Sequence, residues 1–142
     1  MINKIVVGYD GSAHAKAAIE FLKRLKEFNE AEIHIVTVID LAQLYSYGVE
    51  IPQSVFENIK KHSEDELKKV VEEIKSAGGK AVAVLIEGSP ADAILDYAQK
   101  IQADMIVVGS RGLSTFKGLL LGSVSAKLVR ESKIPVLVVK KY

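Results

Sequence analysis

The sequence predicts an α/β fold built on a parallel, doubly wound sheet, and three features carry that expectation. Short β-branched runs alternate with helix-period patterns along the whole chain. Several of these runs are nearly continuous in Val, Ile, Leu and Met, as expected where helices cover both faces of a sheet. Most of them run out into turns containing Gly, Asp or Ser, at the end of the sheet where ligands of open α/β folds bind.

Strands are expected at residues 4–8, 32–39, 80–86, 104–109 and 135–140, with four helices between them. In the first helix Ala18, Phe21, Leu22 and Leu25 fall at i, i+3, i+4 and i+7, one buried stripe. Leu67, Val70, Val71 and Ile74 repeat that spacing in the second, which Gly78-Gly79 stops. Ala91, Ile94, Leu95 and Ala98 do so in the third, whose start at Ser89-Pro90 puts proline in the first turn. Val124, Leu128 and Val129 carry the fourth. The one long connection, 40–53, is expected to continue as loop to about Lys60, and loops of that length are usually functional or mobile. Charge is dense at 63–75, where Glu64–Lys68 and Asp65–Lys69 sit at i, i+4 on a solvated helix face. Right-handed crossovers leave two arrangements open: a sheet that reverses direction once, or half of something larger.

A chain of 142 residues suits a single domain, 1–142, at about 150 residues per domain. No apolar run approaches the roughly 20 residues of a membrane helix, and the N-terminus enters a strand without a signal-like stretch. The absence of cysteine excludes disulfides, thiolate metal sites and thiol chemistry. With 19 basic and 18 acidic residues, the net charge of +1 gives no bulk attraction to nucleic acid. The expected location is the cytoplasm, with neither nucleic acid nor membrane as partner.

The segment richest in chemistry is Gly109-Ser110-Arg111-Gly112, followed by Gly122-Ser123 where the last helix begins. Glycines after a strand let the backbone approach a ligand and expose N–H groups in one concavity. A helix start adds unpaired N–H groups and partial positive charge, which suits phosphate. Ser123 and Ser125 are expected to donate hydroxyl hydrogens to the same oxygens. The plainer reading is a turn at Gly109 and Gly112 and a helix cap at Gly122-Ser123. The Walker P-loop is excluded because Val124, not lysine, follows Gly122-Ser123, and the Rossmann Gly-x-Gly-x-x-Gly is absent after the first strand. Gly8-Tyr9-Asp10-Gly11-Ser12 forms a second cluster, where Asp10 suits a ribose hydroxyl or a divalent cation and Ser12 suits a helix cap. Arg111 is equally a phosphate partner or a solvated loop arginine. Lys117 and Lys127 read better as solvated, and His14, His34 and His62 have no shared-face spacing for metal or catalysis. His14 and His62 look like helix-surface residues.

These residues resemble the universal stress proteins, specifically their ATP-binding branch. The resemblance runs through Ile-Val-Val-Gly-Tyr-Asp-Gly-Ser at 5–12, Ile-Val-Thr-Val-Ile-Asp at 35–40 and Glu-Gly-Ser-Pro at 87–90. It continues through Ala-Asp-Met-Ile-Val-Val-Gly-Ser-Arg-Gly at 103–112, Leu-Gly-Ser-Val-Ser at 121–125 and Ile-Pro-Val-Leu-Val-Val at 134–139. It implies a five-stranded sheet in order 3-2-1-4-5 and an ATP site, with ADP or AMP as variants and Mg or Mn near the phosphates. Asp10 would then meet the ribose or the metal, the Val38 backbone the adenine edge, and Gly109 the ribose. Gly112, Gly122, Ser123, Val124 and Ser125 would hold the phosphates, with Gly8 and Tyr9 lining the first loop. Tyr9 stands where many members carry a small residue or proline.

The resemblance further implies a homodimer through the apolar strand at 135–139, from Pro135 to Val139, which as an edge would otherwise be an aggregation hazard. The expected function is an ATP-binding regulatory switch or adaptor with at most slow hydrolysis, since no base or arginine finger can be assigned. The alternatives are an ATP-dependent phosphotransferase or pyrophosphate-type enzyme, and a nucleotide-free dimeric interaction module.

Overall fold

The computed structural model describes residues 1–46, 48, 50–112 and 121–141. Five strands, β1 (Lys4–Gly8), β2 (Glu32–Asp40), β3 (Lys80–Gly88), β4 (Met105–Gly109) and β5 (Val136–Val139), form one sheet in the order β3-β2-β1-β4-β5. Every pairing is parallel. The order reverses beside β1, so the exit ends of β1 and β4 diverge into opposite halves and open a crevice between them.

The helices are α1 (Ala13–Leu22), α2 (Leu41–Tyr45), α3 (Gln53–Ser76), α4 (Pro90–Ile101) and α5 (Ser123–Glu131), with a 3₁₀ turn at Lys26–Asn29. Side chains of a strand alternate between sheet faces, and the central strand shows both faces covered. Ile5 and Val7 pack with α1 and α3, while Val6 packs with α4 and α5, and all three are fully buried. The predicted stripe of α3, Leu67, Val70, Val71 and Ile74, is the buried face of that helix. Among the described residues, no helix is long and apolar enough to cross a membrane.

Several expectations need correction. The connection after β2 does not continue as loop to Lys60. Asp40 caps the short α2 through its carboxylate, which accepts from Gln43 N–H at 3.1 Å, and α3 already begins at Gln53. Leu25 lies beyond α1, which ends at Leu22. β4 starts at Met105 because Asp104 turns its carboxylate back on β1, accepting from Asn3 N–H at 2.7 Å and Lys4 N–H at 2.9 Å. Val129 is half exposed, and Ser125 with Leu128 forms the buried face of α5 instead. Within α3 the ion pairs are Lys61–Asp65 at 3.9 Å and Lys69–Glu66 at 3.4 Å, not the two expected from spacing. Such exposed pairs contribute little, so their choice of partner is weakly determined.

Ile74→Ala should cost about 2–5 kcal/mol in urea denaturation, whereas Val129→Ala should stay within about 0.5 kcal/mol. Equal effects would contradict this assignment of faces. The backbone N–H groups of Lys4 and Asn3 hold the Asp104 carboxyl below its ordinary range. A lowered folded pKa gives stability that is present above the unfolded value, about 3.9, and lost as pH falls through the folded value. Asp104→Asn should therefore be less stable than wild type at neutral pH, by under about 1 kcal/mol for a half-exposed group. The gap should close as pH falls below about 4, and a gap that stays constant with pH would count against it.

Candidate functional site

At the exit of β1, Gly8 is closed in by protein: a Cβ there would lie 2.9 Å from Val108 Cγ1 and 3.0 Å from Ile94 Cδ1. Tyr9 sends its ring into the α1–α3 core, and burial, then Glu66, Glu73 and Asp10, raises its phenol pKa. Its N–H donates to Val36 O at 2.8 Å and its carbonyl accepts from the Thr37 hydroxyl at 2.8 Å, so ring and backbone alike are tied into the protein. Asp10 is exposed, with Oδ1 accepting from Ser12 N–H at 2.9 Å. Gly11 between them takes φ +80°, the left-handed region that side chains disfavour. Ser12 caps α1 as expected, its hydroxyl accepting from Ala15 N–H at 3.1 Å.

At the exit of β4 the geometry turns on Ser110, which is buried. Its N–H donates to Val139 O of β5 at 2.8 Å. Its carbonyl accepts both Gly122 N–H at 2.7 Å and the Ser125 hydroxyl at 2.8 Å, which pins the start of α5 beside the end of β4. The Ser125 hydroxyl is therefore spent inside the protein, so a role toward a ligand falls to its N–H. Ser123, Val124 and Ser125 open α5, and first-turn N–H groups have no acceptor within their own helix. Together with the helix dipole they make that end electropositive.

Two contacts bind the β1 and β4 exits to each other. A Cβ on Gly109 would stand 2.6 Å from the His14 carbonyl carbon, so glycine there lets α1 press directly on β4. A Cβ on Gly112 would stand 2.7 Å from Asp10 Oδ2, which places the carboxylate against the second loop. Val38 completes the crevice from the β2 side. Pairing of β1 with β2 ends at Gly8 opposite Val36, whose carbonyl takes Tyr9 N–H. Backbone groups of residues two apart point to the same side of a strand, so Val38 presents its own beyond the end of β1.

The structure thus brings Asp10, Gly109, Gly112, Val38 and the start of α5 around one crevice. Arg111 is half-buried beside it and makes no ion pair with the described residues. Lys127 turns away, to Asp92 of α4 at 3.0 Å, and Lys117 lies outside the described residues. His14 is not the surface residue expected, since its Nδ1 lies 3.3 Å from the Ser110 hydroxyl. A contact across 96 positions leaves no local signal. His34 is buried between Tyr97 Oη at 2.6 Å and Glu32 Oε1 at 2.5 Å, a satisfied core histidine. Among the described residues, no group of three or more His, Asp or Glu could hold a metal ion.

A parallel sheet whose order reverses beside β1, with helices on both faces, is a doubly wound α/β fold. Residues 1–140 match the model of the universal stress protein family. Universal stress protein MJ0531 of Methanocaldococcus jannaschii is 34% identical over 143 residues, covering 99% of this chain and 84% of the relative. The solved structure of MJ0577 from the same organism has a TM-score of 0.89 at 28% identity, covering 100% of this chain and 98% of that one. A universal stress protein solved in complex with cAMP has a TM-score of 0.66 at 30% identity, covering 98% and 97% of the two chains. The chain belongs to the universal stress protein family.

Ser12→Ala should cost about 1 kcal/mol through the lost cap of α1. Gly109→Ala should cost about 1–3 kcal/mol, because the methyl meets helix backbone rather than a movable side chain. A thermal-melting series in which Gly109→Ala is neutral would show that α1 does not seat on β4.

Proposed function

We propose that this chain binds an adenine nucleotide, ATP foremost, in the β1–β4 crevice and acts as a nucleotide-dependent switch or adaptor in stress responses. The observation that carries this reading is the double hold of the Ser110 carbonyl on Gly122 N–H and the Ser125 hydroxyl. It sets the N–H groups of Ser123, Val124 and Ser125 next to the β4 exit, where a polyphosphate would find donors and positive potential without lysine. Gly112 belongs to the same phosphate wall, whereas the Gly122 N–H is already held by the Ser110 carbonyl and Gly122 contributes only its lack of a side chain there. The outward backbone of Val38 suits an adenine edge, and Asp10 with Gly109 suits the ribose. The cAMP complex of a relative supports the choice of base.

Asp10 also fits one carboxylate ligand of Mg or Mn, since magnesium at nucleotides takes one or two carboxylates beside phosphates and water. When bound, such an ion would neutralise phosphate charge. Asp10 Oδ1 accepts from Ser12 N–H and His14 Nδ1 lies against the Ser110 hydroxyl, and no general base or arginine finger is assigned among the described residues. At most slow hydrolysis follows. The apolar β5 is an edge strand, which supports a homodimer in which two copies pair along 135–139, from Pro135 to Val139. A cytoplasmic location accords with this reading.

Purified protein, denatured and analysed by mass spectrometry, should release an adenine nucleotide. ATP with magnesium at about 100 Kd should stabilise the nucleotide-free fold by about 2.7 kcal/mol. Gly112→Val, which would displace the Asp10 carboxylate, and Gly122→Val should each abolish the shift while circular dichroism stays native. Absence of both released nucleotide and thermal shift would overturn the proposal, and rapid turnover of ATP would favour an enzyme instead.

A further inference from the structure

Away from the crevice, a groove of about 660 Å³ runs between α1 and the end of β5. Ala17, Phe21 and Val139 contribute its apolar surface. Five cations line it: Lys16, Lys23, Arg24, Lys140 and Lys141, against the single carboxylate of Glu20. Lys23 is spent internally, held by Glu20 and by Glu73 of α3 at 2.8 Å each. Among the described residues, the other four cations make no ion pair. A chain of net charge +1 therefore concentrates four cations without a carboxylate partner along one apolar trough, Arg24 lying over the edge of that trough with its guanidinium carbon 5.6 Å from the Phe21 ring centroid.

We propose that this groove binds an extended acidic segment of a partner protein. Its apolar side chains would cover Phe21 and Val139, and its carboxylates would meet Lys16, Arg24, Lys140 and Lys141. The spread of the charges selects that occupant. Lys16 and Arg24 are separated along α1 and the turn after it by roughly 12 Å, at 1.5 Å per helical residue. Four cations exceed the charge of a single phosphate, whereas an extended chain sets same-side carboxylates about 7 Å apart and brings several of them along the row. A second copy of this chain presents the same positive charge at its own β5 and does not supply the missing negative charge. Among the described residues, the groove draws Val139, Lys140 and Lys141 from the C-terminal end, so the edge of β5 stays open for strand pairing.

The test uses fluorescence anisotropy of a labelled ten-residue peptide of alternating Glu and Val on nucleotide-free protein, so that it stands or falls apart from the nucleotide reading. Saturable binding is expected, weakening with added salt and by on the order of tenfold in the double variant Lys16→Glu, Arg24→Glu. Both positions are exposed, and an unchanged melting temperature verifies the fold. Several results would overturn the proposal: no binding, binding unaffected by the double variant, or equal binding of a peptide with Lys in place of Glu. Tight binding of tripolyphosphate or phosphatidylserine vesicles at this groove without peptide binding would also overturn it. So would a double variant that alters only the monomer–dimer balance in sedimentation.

Discussion

Ser110 is the joint on which the exit end of the sheet depends. One residue fastens three elements there: its N–H holds β5 through Val139, its carbonyl holds α5 through Gly122 and Ser125, and its hydroxyl meets His14 of α1. A buried carbonyl with two donors is fully used, and removing either donor would leave polar capacity unsatisfied in a dry place. Because Ser110 directly follows β4, the register of β4 in the sheet sets where the first turn of α5 stands. Packing and site geometry are therefore one constraint rather than two.

The glycines around the crevice take their meaning from the same constraint. Gly8 and Gly109 look from sequence like residues kept small for a ligand, yet what lies on their side-chain side is protein: Val108 and Ile94 in one case, the backbone of His14 in the other. They bring elements close enough that the loops converge. Gly112 differs, since its missing side chain leaves room for the Asp10 carboxylate at the mouth of the crevice. The glycine pattern thus marks the site indirectly, by marking where the backbone must be crowded.

Much of the fold was legible because burial on both faces leaves a strand no polar residues to hide it. Val and Ile runs placed all five strands to within a residue or two, and the stripe of Leu67, Val70, Val71 and Ile74 found the buried half of α3. The other half was invisible. From Gln53 onward α3 projects mostly exposed side chains, with Val55 outward, so no apolar period reports it. Val129 misled for the opposite reason, being apolar at helical spacing yet facing solvent while Ser125 turns inward to a carbonyl. The loop and helix-start segments that flank the crevice followed from their strand–loop–helix order, but the approach of His14 to Ser110 and of Asp10 to Gly112 arises only when distant parts of the chain meet.

The most direct test of the proposed nucleotide site is an amide NMR titration with ATP and magnesium. The resonances of Gly112, Ser123, Val124 and Ser125 should move together with that of Val38 along one saturation curve, while Glu87 and Asp96, in the separate hollow between β3 and α4, stay still. Movement at Glu87 and Asp96 with none at the α5 start would contradict the placement of the nucleotide.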